Sequence, residues 1–143
     1  MKVLMINGSA NKDGCTYTAL MEVASALEAE GISCEIAQSG NRPIRDCIGC
    51  GKCRELDERC AFDDDIVNGL IQKAKEADGF VFGTPVYYAH PSGRILSLLD
   101  RMFFAPGNGP YRHKPAAAVA SARRGGTTAS IDVLNKYFTI AQM

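Results

Sequence analysis

Lys2-Val3-Leu4-Met5-Ile6-Asn7-Gly8-Ser9 is a short apolar run that stops on a glycine and a hydroxyl residue. Continuous rather than alternating apolarity predicts a strand buried on both faces, the kind found in parallel sheets. Beyond the polar loop that follows, Leu20, Val23, Ala24 and Leu27 recur at i, i+3, i+4 and i+7. That spacing predicts a helix with one apolar stripe, and Gly31 stands where its end needs a left-handed residue. Working outward, Ser33 to Ala37 reads as a second strand, and the stretch from Gln38 to Phe62 reads as irregular. Asp63, Asp64 and Asp65 are placed to cap and charge a helix carrying Ile66, Leu70, Ile71 and Ala74 on one face. Gly79 to Gly83 is a third strand ended by Thr84-Pro85, and Arg94 to Phe104 a helix. Lys114 to Ser121 is a fourth strand, and Thr127 to Met143 a last helix. Such strand–helix alternation implies a doubly wound parallel sheet with right-handed crossovers. The final helix has no strand after it, so the chain reads as C-terminally truncated, with one sheet face thinly covered.

A chain of 143 residues is one domain with a single core. Its 46% hydrophobic and 22% charged residues are the balance of an ordinary globular protein rather than a disordered or membrane one. Lys+Arg and Asp+Glu are 16 each, so no net field draws it to nucleic acid or to a membrane surface. The first apolar run is too short for a signal peptide and leads straight into a turn. Six cysteines without a secretory signal point to the cytoplasm, where clustered thiols do metal or redox work.

In a doubly wound sheet the ligand crevice lies beyond the C-terminal strand ends. Three unusual loops leave those ends. Gly8-Ser9-Ala10-Asn11-Lys12-Asp13-Gly14-Cys15-Thr16 exposes backbone N–H groups at a helix start and suits a phosphate. Ala10 breaks the dinucleotide fingerprint, and no lysine precedes Thr16 as a triphosphatase loop requires. A phosphomonoester ringed by Ser9, Asn11 and Thr16 fits best; the plain alternative is a polar turn capped by Thr16 or Asp13. Thr84-Pro85-Val86-Tyr87-Tyr88-Ala89-His90-Pro91 offers a stiff backbone and aromatic faces to a flat ring. His90 reads either as solvated or as catalytic, the first being the commoner fate of a loop histidine. Ser121-Ala122-Arg123-Arg124-Gly125-Gly126 frees backbone amides beside arginine and can stabilise negative charge on a reduced ring; alone, it is equally a solvated turn.

The remaining signal is Cys47-Ile-Gly-Cys50-Gly-Lys-Cys53, with Cys60 after a short gap. Tight spacing of four thiols suits an iron–sulfur cluster better than a disulfide framework or a zinc site built from two separated pairs. Unligated thiols and zinc stay open as alternatives. The Cys-x-x-Cys pairs do not open a helix after the first strand, which argues against thioredoxin-like exchange. Cys34, in an apolar strand, reads as core.

Five motifs, in order along the whole chain, resemble the NADPH-dependent FMN reductase-like family, and within it the iron–sulfur flavoprotein branch. They are Gly8-Ser9 to Thr16, Cys47–Cys60 with Asp63-Asp64-Asp65, Thr84-Pro85-Val86-Tyr87, Leu99-Asp100-Arg101, and Arg123-Arg124-Gly125-Gly126. The resemblance implies a flavodoxin-like fold with strand order 2-1-3-4, the family's fifth strand and last helix being absent. It implies that Ser9, Asn11, Cys15 and Thr16 hold the FMN phosphate. Pro85, Val86 and Tyr87 would line one side of the isoalloxazine, with Arg124 and Gly125 at its pyrimidine edge. Cys47, Cys50, Cys53 and Cys60 would ligate a [4Fe–4S] cluster. The first loop departs from the family pattern: Ala10 replaces a proline, Asn11 an arginine and Cys15 an asparagine. Losing the arginine removes a bidentate phosphate contact, for which Lys12 is a point-charge substitute.

The resulting expectation is an FMN-dependent oxidoreductase passing electrons from NAD(P)H to a quinone, flavin, nitro compound or metal acceptor. No side chain need act as acid or base; Tyr87 is the one catalytic candidate, as a substrate-positioning group. A homo-oligomer is expected. Two alternatives are an electron carrier taking electrons from ferredoxin through the cluster, and a non-catalytic flavodoxin-like subunit.

Overall fold

The computed structural model describes residues 1–143. Four parallel strands, β1 (Lys2–Asn7), β2 (Ser33–Gln38), β3 (Gly79–Pro85) and β4 (Ala116–Ser121), lie in the order β2-β1-β3-β4. They alternate with α1 (Cys15–Ala29), α2 (Val67–Glu76), α3 (Gly93–Phe104) and α4 (Thr127–Ala141). The central strands β1 and β3 are the ones with continuous apolar runs, and all of Gly79–Pro85 is buried. One 3₁₀ turn, Lys52–Arg54, interrupts the long β2–α2 connection.

Strand alternation divides the core. Leu4, Ile6, Phe80 and Phe82 point to the side covered by α2, α3 and α4, in a cluster of 17 buried residues. On the other side, Val3, Met5 and Val81 form a cluster of five with Leu20 and Ala24 of α1, against which Val23, Leu27, Ile32, Cys34, Ile36 and Val119 pack partly buried. The smaller of the two buried clusters is the one on the α1 face.

Boundaries differ from the expected ones where tertiary pairing overrides local signals. Thr84-Pro85 does not end β3: Thr84 pairs with Ala120 and Pro85 with Ser121. Pairing with β1 stops at Gly83, so Pro85 has a strand neighbour on one side only and its missing N–H costs no ladder bond there. β4 starts at Ala116 because Lys114 donates its N–H to Tyr111 O in a turn. α4 ends at Ala141, with Gln142 left-handed and the Met143 N–H returning to Phe138 O. No helix is long and apolar enough to cross a membrane.

Candidate functional site

β1, β3 and β4 end side by side, which delivers the three loops to one edge. Polar contacts lock them together. Gly8 N–H donates to Gly83 O at 2.8 Å, and Ser92 Oγ donates to Gly8 O at 3.1 Å. Thr16 and Ser121 share a hydroxyl–hydroxyl bond of 2.7 Å, and Val86 N–H donates to Ser121 O at 2.8 Å. Gly126, with φ +96°, lets the third loop press on the second: a Cβ there would stand 2.4 Å from Ala89 Cα. The first loop is also braced from β2, since Gln38 Nε2 donates to Ser9 O at 2.7 Å and Asn7 Nδ2 to Gln38 Oε1 at 2.6 Å.

Between the loops is a cleft of about 360 Å³ lined by Ser9, Asn11, Gly14, Cys15, Thr16, Pro85, Tyr87, Ser121, Ala122 and Arg123. Six of the nine expected flavin-site residues thus meet there. Val86 is half-buried and bridged to Pro91, and Arg124 and Gly125 are exposed; none of the three lines the cleft. Arg123 supplies the cleft's cationic side chain; Lys12 lies outside it. His90 is exposed, its Nδ1 3.1 Å from Pro91 O, and takes no part in the cleft.

The helix start differs from both caps considered from sequence. The N-cap of α1 is Gly14, no side chain caps it, and its first turn holds no acid. The first amides therefore keep their partial positive charge at the cleft wall, where an anion can use them. Ser9, buried, accepts from Asn11 N–H at 3.1 Å and so shapes the turn. The cleft's donor set, its size and its apolar Pro85 and Tyr87 wall fit a flavin mononucleotide. Sequence reasoning missed Asn7, Gln38, Ser92 and Ser121; a polar residue closing each apolar strand was the available signal for Asn7, Gln38 and Ser121.

The second assembly is separate. Cys47, Cys50, Cys53 and Cys60 all line one small apolar cavity with Phe62, Arg101 and Phe104, and no residue of the cleft reaches it. All six cysteines are free thiols. No three side chains there are arranged to share a metal ion. Four thiols line this one apolar cavity, and thiolates are the residue type that a [4Fe–4S] cluster takes as ligands. The cavity itself is narrow, about 20 Å³. Gly51, in its wall, has a positive φ, with no atom within 4 Å of a would-be Cβ.

Cys60 is the most firmly held of the four. The Asn68 side chain accepts from its N–H at 2.8 Å and donates to its carbonyl at 3.0 Å, and Arg101 Nε donates to its Sγ at 3.2 Å. Burial works against the Arg101 charge, and bonds to Asp65 and Cys60 outweigh it, so its pKa stands above the ordinary value. Cys34 packs in the α1-side cluster as expected of a core residue, and burial raises its thiol pKa. A larger concavity of about 570 Å³, between the ends of α3 and α4, contains no residue of the strand-end cleft.

The NADPH-dependent FMN reductase family model matches residues 1–143. An iron–sulfur flavoprotein of Methanocaldococcus jannaschii is 34% identical over 145 residues, covering 100% of this chain and 74% of the relative. One from Archaeoglobus fulgidus is 37% identical over 130 residues, covering 88% of this chain but 62% of the relative. In fold, the chain matches a flavodoxin from the domain Archaea with a TM-score of 0.64 at 12% identity, over 100% of this chain and 76% of that one. With a matching family model from end to end and the three loops in place, the chain belongs to the NADPH-dependent FMN reductase family.

Proposed function

We propose that this chain is an FMN-dependent NAD(P)H oxidoreductase that passes electrons to a small-molecule acceptor such as a quinone, free flavin, nitro compound or metal. The observation that carries this reading is the convergence of three interlocked strand-end loops on one cleft with an uncapped helix start at one wall. When bound, FMN supplies hydride and electron transfer; the protein binds and orients it. The amides opening α1, with the hydroxyls of Ser9 and Thr16, hold the phosphate. Pro85 and Tyr87 offer a rigid apolar wall to the ring. Arg123, the cationic residue lining the cleft, favours negative charge on a reduced ring. Tyr87, exposed at the mouth, is the group that positions a nicotinamide or acceptor. The test is titration with FMN followed by anaerobic NADPH. Retention of FMN with bleaching of its visible band is expected; a protein that stays colourless at micromolar FMN overturns the reading.

A second reading, favoured by four thiols facing one cavity, adds a [4Fe–4S] cluster held by Cys47, Cys50, Cys53 and Cys60. Such a cluster would supply one-electron chemistry, with ferredoxin as a fitting partner. A broad visible shoulder in anaerobically purified protein supports it. Further copies of the chain are the proposed assembly, and sedimentation velocity tests that.

A further inference from the structure

Arg101 is the largest fully buried side chain of the protein, and it belongs to α3, yet almost everything it binds belongs to the cysteine segment. Its Nε donates to Cys60 Sγ at 3.2 Å. One terminal nitrogen donates to Asp65 and, at 3.2 Å, to Arg45 O; the other donates to Phe62 O at 3.0 Å. The Phe62 ring lies under the guanidinium, 5.5 Å from its centroid. Four donations thus fix residues 45, 60, 62 and 65 to one rigid helix, and only one of the four goes to a carboxylate. A salt bridge needs nothing more than Asp65. The donation to sulfur is the unexplained part, because a neutral thiol is a poor acceptor and a thiolate or metal-bound sulfur a far better one.

We propose that Arg101 is the positioning residue of the cysteine centre: it sets where Cys60 Sγ stands and supplies the buried cation and N–H···S bond that favour extra negative charge there. The proposal rests on the cluster reading above. Hydrogen bonds to sulfur and nearby charge set the potential of an iron–sulfur cluster, and outer partners of a ligand hold it in orientation. Lysine keeps the charge but, as a single donor point, does not span Cys60, Asp65, Arg45 and Phe62 together.

The experiment compares wild type, Arg101→Lys and the charge-neutral double variant Arg101→Met with Asp65→Asn, each reconstituted anaerobically with ferrous iron and sulfide. Circular dichroism and FMN retention in the separate cleft report whether each variant is folded. Iron content, the rate of iron loss to a chelator and the cluster's midpoint potential are the readouts. Expected is a lower potential in both variants than in wild type. Iron should be held about 10-fold or more less tightly, as for other lost outer partners of metal ligands. Failure of both folded variants to load any cluster also supports the proposal. Equal potentials and equal iron retention overturn the role of Arg101 while leaving the cluster standing. Wild-type protein that loads no iron overturns the cluster reading and this role with it.

Discussion

The strand-end cleft and the cysteine cavity sit in one domain and are built on opposite plans. The cleft is made by backbone at the ends of three buried strands, and its loops bond mainly to each other. The cavity is walled by a segment with one 3₁₀ turn and no strand, and it depends on two side chains from outside, Arg101 and Asn68. Distributed support makes the cleft tolerant of single losses. Concentrated support makes the cavity depend on a few residues.

The sharpest way to break that contrast is Arg101→Met. The Arg101 and Asp65 side chains are 0% and 5% exposed, so the substitution strands a buried carboxylate. Breaking a buried pair from one side costs about 3–5 kcal/mol. Urea unfolding should show a loss of that order, and adding Asp65→Asn should recover much of it. A loss under about 1 kcal/mol would mean that the segment has other anchors.

Gly126→Ala tests the other side. An added Cβ meets Ala89 Cα at 2.4 Å and Val86 Cγ1 at 3.0 Å, at a φ of +96° that alanine rarely adopts. Overpacking of this kind costs about 1–3 kcal/mol. The second and third loops should part, weakening FMN binding measured by fluorescence titration, while the cysteine cavity, which shares no residue with the cleft, keeps its structure. Equal damage to both would erase the distinction between them.

What could be read from the residues follows the same line. β1 and the position of the cleft were legible because burial on both faces writes itself as continuous apolar runs, and strand ends place loops. The 2-1-3-4 order came only with the family resemblance, since no apolar run says which strand lies beside which. Ser9, Asn11, Cys15, Thr16, Pro85 and Tyr87 follow from that placement. Arg124 and Gly125 do not: which residue of a glycine-rich turn faces inward depends on backbone dihedrals that residue types leave open, and it is Arg123 that lines the cleft. Asp65 was visible as a helix-start acid, and its Oδ1 does accept from Val67 N–H at 3.0 Å. Its bond to Arg101 spans 36 positions, and no local pattern announces a contact of that separation.

Acid offers the mildest probe. Asp63 accepts from Asn68 Nδ2 at 2.8 Å and from Arg59 at 2.6 Å, and those bonds, the one from Asn68 first, hold its carboxyl below the ordinary carboxylate range. A lowered folded pKa means the unfolded chain takes up the proton first. The contribution is therefore complete above the unfolded value, about 4, and disappears as pH falls through the lower folded one. Asn68 also holds both backbone groups of Cys60, so protonating Asp63 loosens the amide that grips the cysteine segment. No acidic residue lines the cleft. Below about pH 4, hydrogen exchange over residues 60–68 should rise before exchange over residues 8–16 does. The effect is small because Asp63 is exposed and its bond to Arg59 is screened by salt. The reverse order, with the first loop opening before residues 60–68, would show that the cleft and not the cavity is the weaker construction.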